Sequence, residues 1–171
     1  TNPHDYSRTP GGSSSGSAAV IASQMAPLSI GSQTGGSIIR PASYCGVVGY
    51  KPPYGRMPLS PSNSFDPYVQ IGPMARTVAD TALMSNVMSG PHPLDHTTLP
   101  EKLNIPDRPQ GIIGMRIAFS TDLGHYDLAN DVEREFLISI QSLSNVGAKL
   151  EEVPLDGLSE ITVSYTHLRA H

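Results

Sequence analysis

The chain has one cysteine, no tryptophan and three phenylalanines. A single thiol cannot close an internal disulfide. Cys45 lies in an apolar run, where a buried small hydrophobe is expected rather than a nucleophile. Charged residues make up only 15% of the 171, and their balance is −4. With so little charge and no basic stripe, no direct nucleic-acid partner is expected. No apolar run approaches the roughly 18 residues of a membrane-spanning helix, so no membrane partner is expected either. No Gly-Lys-Ser/Thr ending is present to cradle a phosphate, and no Gly-x-Gly-x-x-Gly turn follows a strand. His92 and His96 are four apart with Pro93 between them. No helix aligns such a pair, and no metal site is expected.

Glycine and proline are plentiful at 16 each, and the glycines are not scattered. Gly11-Gly12-Ser13-Ser14-Ser15-Gly16-Ser17 and Gly31-Ser32-Gln33-Thr34-Gly35-Gly36-Ser37 form two Gly-Ser clusters. Ser13 and Ser37 each close a Gly-Gly pair, 24 residues apart. By composition alone such stretches read as linkers. The segments that follow argue otherwise, because Val20-Ile21, Ile38-Ile39 and Val47-Val48 are apolar pairs that a linker would not bury. Gly-Gly before a serine lets the backbone take positive φ, and successive N–H groups in such a turn can point at one spot. A developing oxyanion needs donors arranged in that way. Thr34, Gly35, Gly36 and Ser37 can supply the N–H groups while Ser37 supplies a nucleophile. A serine hydroxyl needs a base to take its proton. Ser13 can relay that proton but cannot be its final acceptor.

These residues resemble the amidase signature family. The resemblance rests on Gly11-Gly12-Ser13-Ser14, on Gly31–Ile38, and on Pro41-Ala42-Ser43-Tyr44-Cys45-Gly46-Val47-Val48-Gly49-Tyr50-Lys51-Pro52. Two flanking blocks agree, Asn2-Pro3 through Arg8-Thr9-Pro10 and Gln70-Ile71-Gly72-Pro73-Met74-Ala75-Arg76-Thr77-Val78-Ala79-Asp80. The resemblance implies an α/β fold, a mixed twisted β-sheet flanked by helices. It implies hydrolysis of a carboxamide C–N bond through an acyl-enzyme, with no cofactor. Ser37 takes the nucleophile's place and Ser13 the bridging serine's, with a cis peptide at Gly12–Ser13. The oxyanion hole falls on the N–H groups of Thr34 to Ser37. A small-molecule amide is the implied substrate and the cytoplasm the implied location. The resemblance also allows a homodimer of the whole enzyme.

Two positions depart from the family's commonest pattern. An Asp usually stands where Gln33 is, and an Arg where Ile39 is. Acid and base are missing together, as for a lost ion pair. Arg40 follows, three residues after Ser37, and a guanidinium there can grip a substrate carboxylate in bidentate fashion. Without such a role Arg40 reads as a surface or ion-pair arginine. The family's general-base lysine lies upstream of the first serine cluster, and Lys51, Lys102 and Lys149 do not match it. Residues 1–161 therefore read as a central fragment of an amidase domain with little or no activity alone. Residues 162–171 read as a non-native tail, similar to a peptide translated from sequencing-adaptor DNA at the end of a metagenomic contig. Two alternatives stay open. One is the glutaminase subunit of a tRNA-dependent amidotransferase, against which Gln33 and Ile39 argue mildly. The other is a non-catalytic binding protein on the same scaffold.

The order of elements follows from pattern. A helix is expected after the first cluster, over 16–25, and a strand at Leu28–Ser32. A short helix is expected at Ile38–Tyr44, a buried strand at Gly46–Tyr50, and an ordered loop over 51–69, which holds five prolines. An extended piece is expected at Ile71–Met74. Thr77-x-x-Asp80 predicts a capped helix with Val78, Ala82 and Met84–Met88 on its apolar face, stopped by Gly90-Pro91. A strand–helix–strand unit is expected from 115 to 153, its helix capped by Asn130-x-x-Glu133 and ended by Gly147. No internal repeat is visible.

Overall fold

A computed structural model of the chain describes residues 1–60, 68–106 and 111–155. They fall in two compact units, Thr1–Pro109 and Gln110–His171. The first holds α1 (Ser15–Ala22), β1 (Leu28–Gln33), α2 (Ile39–Tyr44), β2 (Val48–Gly49), β3 (Gln70–Ala75) and α3 (Val78–Met88). Its three strands pair antiparallel in the order β1-β3-β2. Leu28 lies opposite Ala75 and Gln33 opposite Gln70. β3, in the middle, is buried at every residue but Ile71. Met74 in this strand packs with Ala18 of α1, with Ile38, Ala42 and Cys45 around α2, and with the half-buried Ala22 and Val47. This small-residue core lets both helices approach the sheet closely.

β2 is shorter than the strand expected over Gly46–Tyr50 and only half-buried. Tyr50 still donates its N–H to Pro73 O at 3.0 Å. Pro52 and Pro53 then end the ladder, because proline has no N–H to give it.

α3 begins as expected, with Thr77 Oγ1 accepting the Asp80 N–H at 3.0 Å. Its inward face corrects the sequence reading. Val78 is 58% and Val87 72% exposed, while Thr81, Ala82 and Ser85 are buried. The two buried hydroxyls bond to carbonyls one turn back, Thr81 to Thr77 O at 2.9 Å and Ser85 to Thr81 O at 2.7 Å. Short polar side chains that satisfy themselves locally can therefore line the close contact.

A turn recurs that the linear sequence did not reveal as a repeat. In Asn2–Thr9 and again in His92–Leu99, an Asp two residues after a Pro takes the N–H and the hydroxyl of the residue two further on. Asp5 holds Ser7 at 2.9 and 2.6 Å, and Asp95 holds Thr97 at 3.0 and 2.6 Å. Asp95 also accepts the Leu59 N–H at 2.8 Å. In the first copy Asn2 Nδ2 donates to Tyr44 O at 2.8 Å, tying the turn to the end of α2.

The second unit is the expected strand–helix–strand, β4 (Arg116–Phe119), α4 (Asn130–Asn145) and β5 (Lys149–Glu152). β4 and β5 run parallel with Arg116 opposite Lys149. Phe119 meets Phe136 of α4 at a centroid distance of 6.3 Å. Asn130 does not cap α4 as expected. It is already the first helical residue, and Ala129 caps with no side-chain bond. Gly147 follows the helix with φ 97°. Among the described residues, no helix is long and apolar enough to cross a membrane. The proposed tail at 162–171 lies outside the described residues.

Candidate active site

Both glycine–serine clusters meet at the start of α2. Gly11 has φ +79°, and a Cβ there would lie 2.8 Å from Pro41 Cα. Only glycine lets the first cluster sit directly on the α2 backbone. The peptide Gly12–Ser13 is cis, as the resemblance implied. Ser13 is exposed and Ser37 half-buried. The Ser14 N–H donates to Ser37 O at 3.1 Å. Backbone dimensions then put Cα of residues 13 and 37 within about 8 Å, a gap that two serine side chains can bridge.

Hydroxyls fasten α1 to β1. Ser17 donates to Ile30 O at 2.7 Å and Ser29 to Ser17 O at 2.9 Å. Ser14 Oγ donates to Ser32 O at 3.2 Å and accepts the Ser32 N–H at 3.1 Å.

Beyond β1 the chain turns through Thr34, Gly35 and Gly36 into Ser37. Gln33, 6% exposed, anchors this turn from below. Its Oε1 accepts the Ile38 N–H at 2.8 Å and the Ile39 N–H at 3.0 Å, both at the start of α2. A helix start leaves N–H groups without intrahelical partners, and a neutral amide oxygen serves two of them. The position that commonly holds an acid in the family thus works here through a carbonyl oxygen. Ile39, where the family commonly has its arginine, is 52% exposed. Sequence reasoning treated Gln33 only as a departure and did not single out Ser14. Their roles depend on bonds to backbone brought near by the fold, which spacing alone does not display.

Gly36 has φ +133°, and its C=O accepts the Arg40 N–H at 2.9 Å. A Cβ at Gly36 would lie 3.6 Å from Arg40 Nη2 and 3.8 Å from its Nε. The guanidinium therefore lies over the turn that carries Ser37. Arg40 is exposed, and among the described residues it pairs with no carboxylate. Among the described residues, the N–H groups of Gly35, Gly36 and Ser37 likewise have no acceptor in bonding position.

Cys45 is fully buried, and burial pushes its thiol pKa up, away from a reactive thiolate. Lys51 Nζ donates to Pro52 O at 2.8 Å, beside its own residue. Among the described residues, no three His, Cys, Asp or Glu gather as metal ligands.

Two serine-bearing glycine turns on an α/β frame thus meet at the start of one helix. The chain belongs to the amidase family, whose model, described as Amidase, matches residues 1–170. A glutamyl-tRNA(Gln) amidotransferase subunit of Thermotoga maritima is 37% identical over 169 residues, 96% of this chain and 35% of that protein. A crystal structure of the same subunit from that organism superposes with a TM-score of 0.80 over 91% of this chain and 35% of the other. A bacterial aryl acylamidase of the amidase signature enzymes matches with a TM-score of 0.83 at 32% identity, over 91% of this chain and 32% of its own. The chain thus spans about a third of the length of these relatives.

Proposed function

We propose that this chain supplies the nucleophile, the proton-relaying serine and the oxyanion donors of an amidase acting on carboxamides. Ser37 Oγ attacks the amide carbonyl, and its proton passes to Ser13. The negative charge on the carbonyl oxygen meets the N–H groups of Thr34 to Ser37. As the C–N bond breaks, the relay returns a proton to the leaving nitrogen, and water then releases the acid from Ser37. The final proton acceptor in this scheme is the family's general-base lysine, a place that Lys51, Lys102 and Lys149 do not match. Residues 1–171 alone are accordingly expected to show little or no turnover.

The observation that carries this reading is the Ser14 N–H to Ser37 O bond. It joins the two serine turns beside the amide donors of Gly35 to Ser37, which face no acceptor among the described residues. In the full-length protein, a fluorophosphonate should add its mass at Ser37. Ser13→Ala should lower kcat on a simple amide by about 10²–10⁴-fold, the range of a positioned acid–base group. Turnover by Ser13→Ala near wild type, or label on another residue, would refute the assignment.

Arg40 is proposed as the substrate's carboxylate contact, on the strength of its place over Gly36 and its lack of an acidic partner among the described residues. A second reading has support in the relatives named as glutamyl-tRNA(Gln) amidotransferase subunits. In that case the same acyl transfer works inside a larger assembly, and the full-length protein should co-purify with partner subunits. Recovery as a lone chain or a homodimer would speak against it.

A further inference from the structure

We infer that Ser14 is a positioning residue, which fixes the separation of the two hydroxyls on residues 13 and 37; this rests on the acyl-transfer reading above. Three bonds tie it to the second serine turn and to β1. Its N–H donates to Ser37 O at 3.1 Å. Its Oγ donates to Ser32 O at 3.2 Å and accepts the Ser32 N–H at 3.1 Å. Ser14 therefore fastens the first serine turn to the end of β1 and to the second serine turn at once. Ser32 precedes Gln33, which holds the α2 end of the same turn. The frame thus closes on itself as Ser14, Ser32, Gln33, Ile38, Ser37 and Ser14 again.

The hydroxyl suits this task because one O–H and two lone pairs let it serve a donor and an acceptor of a single residue. Ala serves neither. Space is the other half of the arrangement. A Cβ on Gly31 would lie 2.9 Å from Ser14 Oγ, 3.1 Å from Ser14 Cβ and 3.0 Å from Ile38 Cγ1. A side chain at 31 would push Ser14 off Ser32, so the glycine at 31 and the serine at 14 act as a pair. Ser14 touches no reacting atom in the proposed reaction. Ser14→Ala keeps the backbone N–H bond to Ser37 O but releases the first serine turn from Ser32, which lets Ser13 shift against Ser37, and misplacement by about 1 Å can cost about 10²-fold in rate. Substrate binding is left alone, so the damage should appear in kcat.

The test compares Ser14→Ala, Gly31→Ala and the double variant in the full-length protein, with a neutral amide substrate and a fluorophosphonate. Each single change should lower kcat and the labelling rate at Ser37 by about 10–100-fold, with KM within about threefold. In the Ser14→Ala background, Gly31→Ala should cost less than in wild type, because the bond it disturbs is already gone. Rates within twofold of wild type for Ser14→Ala, a loss confined to KM, or two losses that simply multiply would each overturn the role. Should Ser14→Ala fail to fold, Ser14→Cys decides by the same kcat–KM split, since it keeps the shape but donates weakly. Wild-type protein that is not labelled at Ser37 would sink the acyl-transfer reading itself, a result distinct from normal labelling in Ser14→Ala.

Discussion

Replacing Gln33 with methionine keeps the approximate volume of a buried side chain and removes its carboxamide, oxygen and nitrogen together. That oxygen holds two N–H groups at the start of α2, Ile38 at 2.8 Å and Ile39 at 3.0 Å. Ile38 is fully buried, so its N–H would be left without water or partner, at a cost of about 1–3 kcal/mol. Ile39 is 52% exposed, and water can replace the lost acceptor there, for a further cost of about 0.5–1 kcal/mol. The sum is about 1.5–4 kcal/mol, a large share of the roughly 5–15 kcal/mol that holds a domain folded. Volume-conserving exchange adds little packing loss. In urea, with a mid-range slope of about 2 kcal/mol/M, the midpoint should fall by about 1–2 M at unchanged slope. Amide hydrogen exchange should show lost protection at Ile38. A midpoint within about 0.2 M of wild type, with Ile38 still protected, would refute the idea that Gln33 fixes the nucleophile's turn.

Three other outcomes follow from the same structure. Asp95→Asn removes the carboxylate that holds Leu59 and Thr97. Burial pushes the Asp95 pKa up, but these N–H and hydroxyl donors outweigh it and leave it below the ordinary value. A depressed folded pKa contributes stability above the unfolded value of about 3.9, lost as pH falls through the folded one. Acid unfolding followed by fluorescence or circular dichroism should thus show a flatter pH dependence in the variant below about pH 4. Thr77→Ala removes the cap of α3 and should cost about 0.5–2 kcal/mol, read by calorimetry as a Tm lower by roughly 1–8 °C. Arg40→Ala in the full-length protein should lower the kcat/KM ratio of acid-bearing to neutral amides by about 10–100-fold, the worth of a charge-assisted pair of bonds. An unchanged ratio would remove Arg40 from the substrate site.

The frame of the first unit was legible because its signals are local. Leu28–Gln33 and Gln70–Ala75 are short apolar or small-residue runs bounded by turn residues, and both are strands. Thr77 announced a helix start through a bond that spans only three residues. The inward face of α3 was not legible, because Thr81 and Ser85 are polar by type yet satisfy their hydroxyls within the helix. Asn130 misled for the opposite reason. A residue fit to cap stands one position inside the helix, and Ala129 takes the cap without a side-chain bond. At the candidate site the glycine–serine spacing pointed to two turns that the fold does bring together, with Ser14 joining them. The parts played by Ser14 and Gln33 depend on partners 18 and five residues away. Only folding sets those distances.

The serine bonds along β1 have a consequence for the exposed edge of that strand. Among the described residues β1 lies at the edge of the three-stranded sheet, and a bare outer strand offers its peptide groups to any passing chain. Here Ser17 covers Ile30 O and Ser14 covers both peptide groups of Ser32. A foreign strand seeking that edge would have to evict hydroxyls first. Ser14, argued above to position the chemistry, therefore also covers this edge of the described sheet, and truncating Ser14 and Ser17 together should yield a protein more prone to aggregate than the wild type.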